Sequence, residues 1–215
     1  MIEIVYSDNH IVVARKPAGL LSEGEGADCF PALLRSQLET ERGTPTKALY
    51  TVHRLDRETE GLMVYALCSS AAAELSKQMQ SGDWSKVYLA LLWGRPEEQS
   101  GRLCDLLYYD RAKNKSFAVK RERKGVKPAA LTYEVIGRPD GHRTAVRVTL
   151  ETGRTHQIRV QFASRGLPLC GDRRYGAPAE SGKSLCLCAA ELSFTHPKSG
   201  EPMHFAVTPE GFAIS

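Results

Sequence analysis

The feature that most constrains the fold is a succession of short alternating apolar segments separated by brief polar turns. Glu3 to Tyr6 and Ile11 to Ala14 flank the turn-forming "SDNH" and read as a hairpin. Further strand patterns cover residues 62–67, the apolar run "KVYLALLWG", residues 102–109, 116–120, 129–136 and 144–151, and a closing pair at 184–194 and 202–208. Helical spacing is rarer. Pro31 opens a predicted helix through Leu33, Leu34 and Leu38. "SSAAAELSKQM" places Ala72, Leu75 and Met79 on one face behind a serine cap. "THQIRVQFASRG" is ambiguous, but Ile158 and Phe162 at four-residue spacing, with Thr155 as cap and Gly166 as stop, favour a helix. Many strands with short connections and few helices predict an α+β fold on a mostly antiparallel mixed sheet with flanking helices. No repeat or linker divides the chain, so residues 1–215 are expected to form one domain.

Composition narrows the function classes. With 42% hydrophobic residues in 215, the chain has enough apolar material for one substantial core or two lobes. A net charge of +4 permits a polyanionic partner without demanding one. No segment approaches the ~20 apolar residues of a membrane span, and Met1 to Tyr6 alternates rather than forming a leader. Six cysteines show no metal-binding spacing. Cys186 and Cys188 share one face of a predicted strand, which suits buried thiols in a reducing cytoplasm. H-E-x-x-H, G-x-S-x-G and P-loop patterns do not occur.

Three polar clusters remain. "TVHRLDRETEGLMVYA" gathers Arg54, Asp56, Arg57, Glu58 and Glu60 beside a strand, whereas charge runs are ordinarily solvated. Asp56 and Glu60 could also form an acid pair of the glycosidase type, although Gly61 and the following strand make a helical pairing of the two doubtful. "LETGRTHQIRV" places Arg154 before a predicted helix start, with His156 and Arg159 nearby. Residues 110–127 carry Lys120, Arg121, Arg123 and Lys124 among other cations. They read as a basic hairpin, either solubilising or clamping a phosphate backbone.

Taken in order, "IVVARKPAGLLSEG", "HRLDRETEGLMVYA", "KVYLALLWG", "KPAALTYEVI", "LETGRTHQIRVQFASRGLPLCGDRRYG" and "LSFTHPKSGEPMHF" resemble the RluA-type family of pseudouridine synthases along nearly the whole chain. The H-R-L-D and G-R-T-H-Q-I-R blocks are the specific ones. The resemblance implies a single catalytic domain with a central cleft and no small N-terminal RNA-binding domain, working without a cofactor or metal. Its substrate is expected to be structured ribosomal or transfer RNA, and the protein a cytoplasmic monomer.

The resemblance assigns Asp56 to the ribose, where it either attacks C1′ or removes a C2′ proton. It gives Arg154 as the cation favouring the ionised carboxylate, and Tyr88 as the ring and hydroxyl at the flipped uracil. Arg54 and His53 are expected at the RNA, Ile158 in the pocket wall, and Arg57 and Glu58 in solvent. Glu60, Gln161 and Cys188 depart from the family pattern, where small or histidine residues are usual. Two rivals stand beside this expectation: an RNA-binding protein of the same fold without catalysis, and a nucleoside or glycoside hydrolase using Asp56 and Glu60.

Overall fold

The computed structural model describes residues 1–213. The chain packs as two compact units, residues 1–86 with 189–208, and residues 87–188 with 209–213. The α+β class is as expected.

In the first unit, β1 (Ile4–Ser7) and β2 (Ile11–Lys16) form the predicted hairpin. β2 pairs with β4 (Glu60–Ala66), and β4 neighbours β10 (Leu187–Thr195), which pairs with β11 (Pro202–Ala206). The two-residue β3 (Tyr50–Thr51) adds to the end of β4 and carries too little pattern to be foreseen. β2 and β4 are buried along their whole length, which explains why "LMVYA" is continuously apolar rather than alternating. Leu62 and Val64 pack with Ala71 and Leu75 of α2 (Ser69–Ser81). The other parity of β4 carries Tyr65, whose ring lies 6.0 Å from Phe30 at the start of α1 (Phe30–Arg42). Pro31 stands in the first turn of α1 as predicted, and Gly43 closes it in the left-handed region at φ 64°. The serine cap expected on α2 is displaced: the cap residue is Cys68, and the helix already begins at Ser69.

Gly61 illustrates a constraint unrelated to chemistry. Its φ is 120°, and a Cβ there would overlap the backbone of Ala189. Two strands can approach at this point only because one residue lacks a side chain. Gly61→Ala is therefore expected to destabilise the protein by about 2–4 kcal/mol, measured as a lower urea midpoint. An unchanged midpoint would show that the strands separate at little cost.

The second unit orders its strands β5 (Ser85–Trp93, from Val87), β9 (Arg143–Leu150), β8 (Val126–Gly137), β6 (Ser100–Asp110) and β7 (Lys115–Val119). β7 and β8 both run antiparallel to β6 and lie on its two sides. Residues 120–125 therefore cross over β6 instead of forming the tip of a hairpin, which corrects the expectation for 110–127. Alternation reveals strands but not which neighbour each will choose. Gly125, at φ 88°, ends the crossing beside the Tyr108 ring. The helix foreseen in "THQIRVQFASRG" is α3 (Gln157–Ala163). Its cap residue is His156 in the left-handed region at φ 55°, not Thr155. Phe162 of α3 packs edge-on against Tyr133.

Candidate active site

The Asp56 segment has no regular structure and is held in place by its neighbours in the first unit. Lys16, fully buried at the end of β2, donates from Nζ to the carbonyls of Pro17, Leu20 and Arg57 at 2.9, 2.8 and 3.1 Å. Burial lowers its pKa to about 8, against the pull of Asp56 and Glu58. Ser22 Oγ accepts the Leu55 amide at 3.0 Å and donates to the Leu55 carbonyl at 2.6 Å. Gly19 N–H donates to the Arg57 carbonyl, while Arg57 Nε returns a bond to the Gly19 carbonyl. The Thr59 amide bonds to the Asp56 carbonyl and closes a turn. Asp56 is thus half-buried on a backbone anchored on both flanks.

The neighbours of Asp56 divide by direction. Arg54 is 64% exposed and reaches Glu23 at 2.8 Å, and Arg57 and Glu58 face solvent as expected. His53 turns inward: its Nε2 accepts the Val64 amide at 3.0 Å, and its ring meets Trp84 edge-on. This geometry gives His53 the task of fixing the start of the segment to β4, in place of the RNA contact foreseen for it.

Burial drives the His53 pKa well below the usual 6.5. Between that folded-state value and 6.5, the unfolded chain binds a proton that the native imidazole refuses. Stability therefore falls as pH drops below 6.5. His53→Gln is expected to flatten the acid limb of a thermal-melting profile, and an unchanged limb would assign acid sensitivity to other groups.

Glu60 is also buried and takes Arg15 Nη2 at 3.2 Å, while Arg15 further bonds the Thr208 carbonyl. A carboxylate engaged this way suits an internal ion pair. The acid-pair hydrolase expectation gains no support.

In the second unit, Tyr88 lies on β5 opposite Val148 and is 8% exposed. Ile158 is buried, consistent with a wall residue. The two arginines of "GRTHQIR" differ sharply. Arg154 is half-exposed and donates Nε to the Pro128 carbonyl at 3.0 Å. Arg159 is buried and meets Asp172 through Nε at 2.7 Å and Nη2 at 2.9 Å. Both side chains of that pair are nearly solvent-free, at 4% and 1% exposure. Such a pair fixes a guanidinium plane more effectively than it stabilises a fold.

His156 Nδ1 lies 2.9 Å from the Tyr175 hydroxyl, which also accepts the Ser116 amide. Arg159, Asp172 and Tyr175 were not singled out in advance as a set. The available signal was an acid opening the doubly basic "DRRY". Gln161, a departure from the family pattern, ties α3 to β6 by donating to the Leu103 carbonyl and to Asp105. Cys188 is fully buried, and Cys186 is buried as foreseen.

Lys120, Arg121, Arg123 and Lys124 are all exposed on the crossing segment, with the Arg123 guanidinium 4.6 Å above the Tyr108 ring. Among the described residues, no group of three or more His, Cys, Asp or Glu gathers to hold a metal ion, and no helix is long and apolar enough to cross a membrane.

Residues 10–164 match the family model described as RNA pseudouridylate synthase. The "Dual-specificity RNA pseudouridine synthase RluA" of Pasteurella multocida is 36% identical over 97% of this chain and 93% of its own. The protein of the same name from Escherichia coli K12 is 36% identical over 94% of this chain and 90% of its own. Among solved structures, "Human RNA Pseudouridylate Synthase Domain Containing 4" superposes with a TM-score of 0.80 at 23% identity, covering 98% of this chain and 90% of that one.

Proposed function

The chain belongs to the RNA pseudouridylate synthase family, and from that premise we propose that Asp56 carries the chemistry at the ribose of a flipped uridine. The activity is isomerisation of uridine to pseudouridine in RNA. The N1–C1′ bond breaks, the base turns, and a C5–C1′ bond forms. C5 loses a proton and N1 gains one, so the RNA keeps its mass.

A carboxylate can serve by attacking C1′ or by removing the C2′ proton, and either role needs an oxygen held steady at the sugar. The observation that carries the assignment is the anchoring of the Asp56 backbone from both flanks, by Ser22 on Leu55 and by Lys16 and Gly19 on Arg57. Tyr88 is proposed to stack on the uracil and to help move the C5 proton through its hydroxyl. Ile158 would line the base pocket, and Arg54, an exposed cation of the segment, would take RNA phosphate or fill the space of the flipped base.

A cation beside a working carboxylate favours its ionised form. The resemblance suggested Arg154. Arg159 is the better-supported choice, because it is buried and already oriented by Asp172, whereas Arg154 is half-exposed and spends Nε on a carbonyl. We further propose that residues 1–215 work as one catalytic domain, acting as a monomer in the cytoplasm on structured ribosomal or transfer RNA.

The test is nucleoside mass spectrometry on pre-folded, uridine-containing RNA incubated with purified protein. Pseudouridine at unchanged RNA mass is expected. Released uracil would indicate a hydrolase, and bound but unaltered RNA a silent binder.

The crossing segment is expected to contribute sequence-independent affinity. Neutralising Lys120, Arg121 and Lys124 should flatten the salt dependence of RNA binding by roughly 0.7–0.9 log units per lost phosphate contact. An unchanged slope would make these residues a solubilising surface.

A further inference from the structure

A six-residue turn, Gly171–Gly176, does more than hold Arg159. Asp172 faces inward and is consumed by Arg159, so its charge is compensated inside the protein. Arg173 and Arg174, the next two residues, are exposed. Arg174 Nη1 donates to the carbonyls of Lys113 and Asn114 at 3.2 and 3.0 Å. The hydroxyl of Tyr175 accepts the Ser116 amide at 2.8 Å. These bonds fasten the turn against the β6–β7 connection, some sixty residues earlier in sequence, where Asn114 sits in the left-handed region at φ 44°.

The fastening gathers cations from two distant segments. Arg111 and Lys113 are exposed, and Lys115 is half-exposed with its Nζ 5.1 Å from the Tyr175 ring centroid and 5.8 Å from that of Phe117. Asp110 is the acid closest in sequence, 3.9 Å from Lys113 Nζ at the edge of salt-bridge range. A charge run in one flexible loop is ordinarily a solvated surface. Here, by contrast, the cations come from separate loops, side chains of one are hydrogen-bonded to the backbone of the other, and Lys115 rests on aromatic faces. Less side-chain and loop freedom is then lost when an anion arrives.

We infer that Arg111, Lys113, Lys115, Arg173 and Arg174 form a second RNA-docking surface, distinct from the crossing segment at 120–125, that takes phosphates of the RNA backbone beyond the target nucleotide. The inference rests on the RNA substrate of the proposed function. Because Asp172 belongs to the same turn, RNA docked on Arg173 and Arg174 is also registered against Arg159. The partner is RNA rather than an acidic protein, because the cations alternate with exposed or half-exposed aromatic rings, Phe117 and Tyr175, that suit ribose and base edges as well as phosphate.

The test measures equilibrium binding of folded substrate RNA against salt, using full-length Asp56→Asn protein so that the target stays a uridine. Into it go Arg111→Gln, Lys113→Gln and Arg173→Gln together. Arg174 is kept because its guanidinium closes the turn. The log–log salt slope should become shallower by about two units, since each lost phosphate contact is worth roughly 0.7–0.9. The charge-preserving set Arg111→Lys and Arg173→Lys should retain the parental slope. A triple variant whose slope and affinity equal the parent's would overturn the proposal, as would a charge-preserving set that loses as much as the neutral one. Single Arg173→Gln, expected to remove somewhat less than one unit, keeps the test decisive if the triple variant melts early. Pseudouridine formation by the unsubstituted protein is assayed separately, so a failure of the docking surface is not confused with a failure of the catalytic assignment.

Discussion

Asp56→Asn is expected to lose isomerisation by several orders of magnitude while keeping its fold and most of its RNA affinity. Asparagine has nearly the same shape and still accepts hydrogen bonds. Bonds from Ser22, Lys16, Gly19 and Thr59 to the backbone of the segment are untouched by the change, so the loop should stay in place. What asparagine lacks is a negative oxygen able to attack C1′ or to take a C2′ proton. One acid–base group is commonly worth about 10²–10⁴ in rate, and a nucleophile should exceed that.

The measurement is single-turnover kinetics at saturating enzyme, with circular dichroism to confirm the fold. A variant within tenfold of wild type would remove Asp56 from the reaction. Glu60→Gln is the informative contrast. Glu60 is buried against Arg15, and its replacement should lower the melting temperature much more than the rate in protein that remains folded.

How far these features could be read from sequence depends on the kind of contact involved. Alternation over residues 102–109 and 129–136 announced β6 and β8, because a strand with one exposed face must alternate. The order β8-β6-β7 was not legible, since antiparallel patterning says nothing about which neighbour a strand takes. The cap of α3 was missed for a similar reason. Thr155 is the better capping residue by propensity, but its carbonyl accepts Ser116 Oγ and His156 is tied to Tyr175, so tertiary bonds set where the helix starts.

The site was legible where a charge stands in a dense, polar motif, as Asp56 does. It was poorly legible where a charge is buried by partners far along the chain. Lys16 sits in a wholly buried strand end and is satisfied by three carbonyls, one of them forty-one residues away. Arg159 and Asp172 are separated by thirteen residues, and only the fold shows that they form a bidentate pair. The family resemblance gave the role to Arg154, carried to the site by the predicted helix start. We propose the reverse order on burial and partner geometry.

The reversal predicts a second large effect. Arg159→Lys should reduce the single-turnover rate by about a hundredfold or more, whereas Arg154→Lys should cost far less. Lysine keeps the positive charge but offers no planar fork, so it cannot meet Asp172 through two parallel bonds and hold a fixed orientation at the same time. If Arg159 is the cation of the site, as proposed, a displaced charge weakens the chemistry it supports. Arg159→Ala would be a poor test, because it leaves Asp172 charged and unpaired inside the protein, a change worth roughly 3–5 kcal/mol of stability. The lysine variant keeps that charge compensated, and a melting curve at the assay pH verifies it. Equal losses would return Arg154 to the site, and a normal rate in Arg159→Lys would make its pair with Asp172 purely structural.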